Sequence, residues 1–97
     1  MIDFLPDNLP HIFGDRHGHL TDTPENRQLL LNLVNNAQSY LGEDKFGQSC
    51  YAATEQDGSQ LWAVVFDGTI RNGGRNEAPW SFTATEGFQR PHRRLGD

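Results

Sequence analysis

The chain has 97 residues, of which 35% are hydrophobic and 22% charged, and its formal net charge is −5. Its length fits one small domain, and its two Trp, two Tyr and six Phe exclude an intrinsically disordered chain. No apolar run is long enough to cross a membrane and no leader-like start is present. We therefore expect no membrane association and a cytoplasmic site of action. The acidic balance argues against binding of nucleic acid mainly through non-specific phosphate contacts.

The first 22 residues are predicted to form an irregular arm, because two prolines and two glycines interrupt any regular period. Apolar residues such as Ile12 and Phe13 can hold this arm against a core. The arm also contains three of the four histidines of the chain, which are His11, His17 and His19. It is therefore the richest stretch for proton-transfer chemistry.

A helix is predicted over residues 23–42. Thr23 is suited to cap its start, Pro24 to occupy the first helical position, and Glu25 to face the positive end of the helix dipole. Gly42 is placed to end the helix in a left-handed conformation. Apolar residues follow at helical spacing and predict one face that packs on a sheet: Leu30, Leu33, Val34, Ala37 and Leu41.

Residues 46–83 are predicted to form an antiparallel meander of three or four strands. Two Asp-Gly pairs, at 57–58 and 67–68, separate runs that are rich in β-formers. The predicted strands are Cys50–Thr54, Leu61–Phe66 as the central strand, Thr69–Asn72, and a fourth at Trp80–Thr83. Gly73-Gly74 is expected to break the third strand, and residues 84–97 to form a mobile basic tail. The predicted fold class is α+β, with the arm and helix packed on this sheet.

Two kinds of chemistry suit the histidines of the arm. In the first, one histidine acts as general base or acid in the cleavage of a phosphodiester, with a cation nearby to hold the phosphate. Alternatively, His17 and His19 bind a zinc ion with a third ligand, for which the candidates are His11, Asp15 and His92. Exposed loop histidines without any role are the alternative to both.

Polar residues on the third predicted strand and after it suggest a phosphate-binding surface. Arg71 precedes Asn72 and the Gly pair, and Arg75 and Asn76 follow. A solvated edge strand whose charges prevent aggregation is the competing interpretation. Trp80 is the better candidate for stacking on a base, whereas Trp62 is expected in the core. The single cysteine, Cys50, excludes an internal disulfide and is expected to be a small buried side chain.

Taken together, the stretch from His11 to Thr83 resembles the short toxin domains found at the C-terminal ends of bacterial polymorphic and contact-dependent inhibition proteins. The resemblance is carried by His11-Ile12-Phe13, Gly18-His19-Leu20, Thr21 to Arg27, Tyr40-Leu41-Gly42, Asp44 to Gly47, Asp57 to Trp62 and Ile70 to Pro79. It implies a toxin similar in outline to the barnase, EndoU, colicin and RelE group of metal-independent ribonucleases. An RNA substrate, tRNA among the candidates, a cognate immunity or inhibitor protein and no cofactor follow from it as expectations.

The resemblance also suggests roles for particular residues. His11 and His19 are the candidate base and acid, and Lys45 and Arg71 are the candidate cations. Candidate substrate-binding residues are Asn72, Arg75, Asn76 and Trp80. The acidic composition departs from that of typical RNA binders, although five of the eight basic residues lie at or after Arg71 and can form a local basic face.

The competing function is a non-enzymatic module that binds a protein partner through its sheet face. The two functions predict different geometry. The ribonuclease interpretation requires His11, His19, Lys45 and Arg71 to converge in one cleft, whereas an interaction module does not.

Overall fold

A computed structural model describes residues 1–91 of the chain. It has two helices, α1 over Leu9–Ile12 and α2 over Pro24–Val34, and short 3₁₀ turns at Pro6–Asn8 and Ala37–Ser39. Seven strands lie in the same range: β1 Asp3–Phe4, β2 Tyr40–Glu43, β3 Ser49–Thr54, β4 Gln60–Phe66, β5 Thr69–Asn76, β6 Ser81–Thr83 and β7 Gly87–Gln89. The α+β class is confirmed. No helix within residues 1–91 combines the length and the apolar character needed to cross a membrane.

The main sheet has five strands in the order β1-β5-β4-β3-β2, and it is mixed. β3, β4 and β5 form the predicted antiparallel meander, with β4 at the centre. β1 joins the β5 edge in parallel, and β2 joins the β3 edge. The prediction of a purely antiparallel sheet was therefore wrong, because a two-residue strand in the arm carries too little pattern to be recognised from sequence.

The turn that joins β4 to β5 confirms the prediction made from its Asp-Gly pair. Asp67 has a φ of +54° and Gly68 a φ of +74°, so both central residues adopt the left-handed conformation that a type I′ hairpin turn requires. At the other Asp-Gly pair, the Asp57 carboxylate accepts hydrogen bonds from the backbone N–H and the hydroxyl of Ser59. Both turns fix the strand register that positions the residues discussed below.

Helix α2 begins as predicted but ends eight residues earlier than predicted, at Val34 rather than Gly42. The Thr23 hydroxyl accepts the Asn26 N–H at 3.1 Å, which confirms the N-cap. At the other end the side-chain Nδ2 of Asn35 donates to the Leu31 carbonyl, and the side-chain Oδ1 of Asn36 accepts the Gln38 N–H. These side chains compete with the helical backbone, and the chain leaves the helix there.

Residues 40–43 consequently form the edge strand β2 instead of the last helical turn. Gly42 does not cap a helix: it has a φ of +136° and lies at an irregularity in the pairing of β2 with β3. Leu41, predicted on the buried helix face, is 41% exposed.

The two faces of the sheet have different covers. Leu61, Ala63 and Val65 of β4 point to one face and pack with Leu30 and Leu33 of α2 in the hydrophobic core. Trp62, which alternates with them along β4, points to the other face and pairs in register with Gly74 of β5. The Trp62 side chain is only partly buried. The predicted core position for Trp62 was therefore wrong, and this second face carries the candidate site.

Residues 1–22 and 84–91 are more regular than predicted. The arm contains β1 and α1, and it buries Ile12, Phe13 and Leu20 in the core. At the other end β6 pairs only with β7, so it is not a fourth strand of the main sheet. Residues 84–91, predicted as part of a mobile tail, include β7 and complete this hairpin. The remainder of the predicted tail, residues 92–97, lies outside the described residues.

Candidate functional site

A cleft of about 490 Å³ opens on the sheet face that α2 does not cover. The arm contributes residues 17–19, β4 and β5 contribute the floor, and the segment from 77 to 91 contributes the remaining wall. Three aromatic side chains line it: Trp62, Trp80 and Phe88. The polar side chains at its surface include His17, His19, Asn72, Asn76 and Arg90. We call it the aromatic cleft.

His19 is held in the aromatic cleft by two contacts. Its Nδ1 lies 2.8 Å from the Ile12 carbonyl oxygen, and its ring meets the Trp62 ring edge-on with 6.1 Å between centroids. Because a carbonyl oxygen only accepts, Nδ1 must carry the hydrogen of this bond. In the neutral ring Nε2 is then the basic nitrogen, which is the state that a general base needs.

The arm reaches its place because β5 has no side chain at position 74. The Gly18 carbonyl accepts the Arg75 N–H at 3.1 Å, which brings the arm backbone onto the strand. A Cβ on Gly74 would overlap the Gly18 carbonyl oxygen and lie 3.0 Å from the His19 Cα. Gly73 is close to Leu30 and to the Trp62 carbonyl. The Gly pair therefore does not break β5: both residues pair within it and permit close packing.

Aromatic contacts join the floor of the cleft to the β6–β7 hairpin. The Trp62 and Phe88 rings are 5.9 Å apart, and Phe88 contacts Phe82 at 5.7 Å, both edge-on. The Arg90 guanidinium lies 5.8 Å from the centroid of the Trp80 ring. This wall combines flat apolar surfaces with the positive charge of Arg90 and the negative charge of Glu77.

Gln60 fixes the position of Trp80 through its side-chain amide. Its Nε2 donates to the Trp80 carbonyl and its Oε1 accepts the Trp80 N–H, each at 3.0 Å. The Asn76 Nδ2 donates to the same Oε1, also at 3.0 Å. Gln60 and Asn76 are both buried, so these polar groups stabilise the cleft wall by satisfying one another.

Arg75 lies next to the aromatic cleft but is engaged by an acidic turn. Its Nε and Nη2 donate to the two Glu55 carboxylate oxygens at 2.5 and 3.0 Å. The hydrogen bonds from Arg75 hold the pKa of Glu55 below its ordinary value. The Ser59 hydroxyl and N–H likewise lower the pKa of Asp57. Arg75 therefore fastens the turn at 55–59 to β5, and its guanidinium is neutralised.

This ion pair predicts a pH-dependent contribution to stability. Since the pKa of Glu55 is lower in the folded chain, its stabilisation is present above the ordinary value of 4.5 and is lost as pH falls through the folded pKa. We expect Glu55→Gln to unfold more easily at pH 7, by less than about 1 kcal/mol because the pair is partly exposed. The difference in the free energy of unfolding between the wild type and Glu55→Gln should vanish well below pH 4.5. Urea unfolding across this range measures it.

Glu86→Gln provides the control for that experiment. Glu86 is exposed in the turn between β6 and β7. Its replacement should change the free energy of unfolding by less than about 0.5 kcal/mol throughout the range. Parallel loss of stability in the wild type and in Glu55→Gln as the pH falls would contradict the assignment.

Four of the eight residues selected from the sequence line the aromatic cleft: His19, Asn72, Asn76 and Trp80. Arg75 lines an adjacent cleft together with His17 and His19. The other three are absent from both sets of lining residues. His11 is exposed on α1, Lys45 is exposed and lies over the Phe46 ring, and Arg71 donates to the Phe66 carbonyl and lies over the Phe66 ring. The four predicted catalytic residues therefore do not converge, so the ribonuclease interpretation loses the geometry expected of it, and a catalytic role for His19 must involve other residues of the cleft.

Several residues of the cleft were missed or given another role. Trp62 was assigned to the core because its strand is apolar on both faces, and Arg90 was assigned to a mobile tail. Phe88 and Gln60 were not selected at all. A signal for Phe88 was the aromatic pattern Trp80, Phe82, Phe88, which marks a second hairpin after the main sheet. His17 was considered among the arm histidines for both chemistries but was not selected as a catalytic residue.

The alternative zinc site has no geometric support in the described residues. Within residues 1–91 no three His, Cys, Asp or Glu side chains are close enough together to hold a metal ion. The candidate ligand His92 lies outside that range. Cys50 is buried, and desolvation with the nearby Asp44 charge raises its thiol pKa to about 11, which is the property of a structural cysteine.

Comparison of the chain with protein-family models, with curated proteins and with solved structures found no match.

Proposed function

We propose that this chain is a toxin-like endoribonuclease whose site is the aromatic cleft. One observation carries the proposal: a histidine whose Nδ1 is held by a backbone carbonyl lines the same cleft as two tryptophans, two asparagines and an arginine. Stacking platforms, amide groups and a cation are what recognition of an unpaired nucleotide requires. A histidine among them can move the protons of phosphodiester cleavage.

The proposed chemistry is transphosphorylation. Nε2 of His19 accepts the 2′-hydroxyl proton while the 2′-oxygen forms a bond to phosphorus. The bond from phosphorus to the 5′-oxygen breaks, and a proton passes to that oxygen; His17, which lines the same cleft, is the candidate donor. The products are a 2′,3′-cyclic phosphate and a 5′-hydroxyl. Arg90 replaces Lys45 and Arg71 as the cation that stabilises the phosphate charge.

The acidic composition is compatible with this function when contacts with the nucleobase, not with the phosphates, supply most of the affinity. Of the cations in residues 1–91, Arg75 and Arg27 form ion pairs with Glu55 and Asp22. Arg90 belongs to the aromatic cleft. Because few phosphates can be neutralised there, stacking on aromatic rings must contribute most of the affinity.

The test is incubation of the purified chain with total tRNA and with an unstructured RNA in EDTA. We expect fragments that carry 2′,3′-cyclic phosphate and 5′-hydroxyl ends, identified by mass. An oligonucleotide with a single 2′-deoxy substitution at the mapped cut should be resistant at that position. Intact RNA at high protein concentration, or cleavage that persists at the 2′-deoxy position, would contradict the proposal.

A second candidate function, a protein-interaction module, is favoured by the exposed residues at and beyond the β2 edge. Tyr40 and Leu41 of β2 and Phe46 after it are 46%, 41% and 71% exposed. An edge strand with apolar side chains can pair with a strand of a partner, such as a cognate inhibitor.

A further inference from the structure

We propose that Asn76 reads the base bound in the aromatic cleft, with its Oδ1 as a hydrogen-bond acceptor that selects bases carrying an exocyclic amino group. The inference deepens the proposed function, since it takes RNA as the ligand. It depends on a chain of three hydrogen bonds that leaves Oδ1 of Asn76 with only one direction in which to find a partner.

The first link in this chain fixes the orientation of Gln60. The Trp80 backbone offers one N–H and one carbonyl, and Gln60 meets both. A flipped amide would set Nε2 against the N–H and Oε1 against the carbonyl, which is unfavourable at both contacts. Oε1 of Gln60 is therefore an oxygen at a known place.

The second link fixes the orientation of Asn76. Its side chain contacts Oε1 of Gln60, and only Nδ2 can donate to that oxygen. Oδ1 must then point away from Gln60. A Cβ built on Gly18, which also lines the cleft, would lie 3.6 Å from Oδ1. Oδ1 thus lies on the arm side of the cleft, near the residues adjoining His19.

The third observation is that Oδ1 has no hydrogen-bond partner in the part of the chain that the structure describes. Asn76 is only 8% exposed. Among the described residues, Trp62 Nε1 is the one side-chain nitrogen or oxygen that is both fully buried and without a hydrogen-bond partner. Because Oδ1 of Asn76 also has no partner there, it must keep some contact with solvent. A side chain more than nine-tenths buried therefore presents an unused acceptor to the cleft.

Such an acceptor discriminates between bases because Oδ1 loses its water on binding and regains a donor only from a base that carries an amino group. An exocyclic amino group, as in adenine, cytosine or guanine, donates to Oδ1 and replaces the water lost on binding. A purine without that group leaves Oδ1 desolvated, which reduces affinity about ten-fold or more. Asn72, on the same face of β5, differs because its Oδ1 already accepts the Gly73 N–H at 2.9 Å.

The experiment uses binding, so that it does not depend on cleavage. Trinucleotides with 2′-O-methyl riboses lack the attacking hydroxyl, and their affinities for the full chain are measured by tryptophan fluorescence. The matched pair has adenine or unsubstituted purine at the central position, and cytosine and uracil form a second pair. We expect at least ten-fold tighter binding of the amino-bearing member of a pair.

Asn76→Ala should bring that ratio close to one, while Asn32→Ala, which removes an exposed asparagine on α2 at the other face of the sheet, should keep it. Thermal melting verifies that each variant is folded, and equal binding of adenine and purine by the wild type overturns the inference even if Asn76→Ala does not fold. Equal affinity for adenine and purine and for cytosine and uracil would overturn the inference, even in a chain that cleaves RNA. A preference that disappears in Asn76→Ala would support it, even if no RNA were cleaved and the proposed function failed.

Discussion

Replacement of His19 by asparagine is expected to reduce RNA cleavage by about 10²- to 10⁴-fold, the usual contribution of a general acid or base. Asparagine is chosen because its Nδ2 can donate to the Ile12 carbonyl as the histidine Nδ1 does. The variant therefore keeps the contact that holds the arm and removes the basic Nε2. Initial rates of oligonucleotide cleavage in EDTA measure the effect, and His19→Ala should reduce the rate by a similar factor.

His11→Ala is the matched control for this experiment. His11 belongs to the same arm, but it is exposed on α1, and within residues 1–91 its side chain forms no hydrogen bond, while its backbone carbonyl accepts from Arg16. Its replacement should leave the rate within about two-fold, consistent with a surface change that costs less than about 0.5 kcal/mol. If His11→Ala lost activity while His19→Asn kept it, the catalytic assignment would be reversed.

Replacement of Gly74 by alanine is expected to displace the arm and with it His19. The new Cβ would overlap the Gly18 carbonyl oxygen and lie 2.9 Å from its carbon, so backbone, not a flexible side chain, must move. Such overpacking costs about 3 kcal/mol, which for a chain of this size lowers the Tm by roughly 12–24 °C. Cleavage should fall at least as far as in His19→Asn even below the new Tm.

Gly14→Ala makes the same chemical change elsewhere in the arm. A Cβ there would meet only the end of the Arg16 side chain, at 3.2 Å, which can move away. We expect its Tm and cleavage rate to stay close to those of the wild type. If Gly74→Ala had the same Tm and the same rate of RNA cleavage as Gly14→Ala, the packing role assigned to Gly74 would be contradicted.

Local signals in the sequence predicted the parts of the fold that depend on neighbours along the chain. The Asp67-Gly68 turn and the Thr23 cap form as expected, since each is determined by a few adjacent residues. The end of α2 did not follow, because helical spacing continues to Leu41 whereas the side chains of Asn35 and Asn36 redirect the backbone.

The candidate site was predicted only in part, because long-range packing assembles it. His19 was selected for its chemistry and Trp80 for its position, and both line the aromatic cleft. Trp62 was assigned to the core because a strand that is apolar on both faces gives no sign of which face a hairpin will leave open. Arg71 and Lys45 were selected as cations by type, and only the structure shows that Arg90 occupies the cleft.

The most direct measurement of the central claim is the NMR response of the indole N–H groups to a 2′-O-methyl RNA trinucleotide that cannot be cleaved. The chain has two tryptophans, and both line the aromatic cleft, so two resolved signals report on it. We predict that both signals shift on titration, together with the His19 ring, while Tyr40 and Phe46 at the β2 edge do not. Unchanged indole signals at saturating RNA, or shifts confined to the β2 edge, would contradict the assignment of the aromatic cleft as the RNA site.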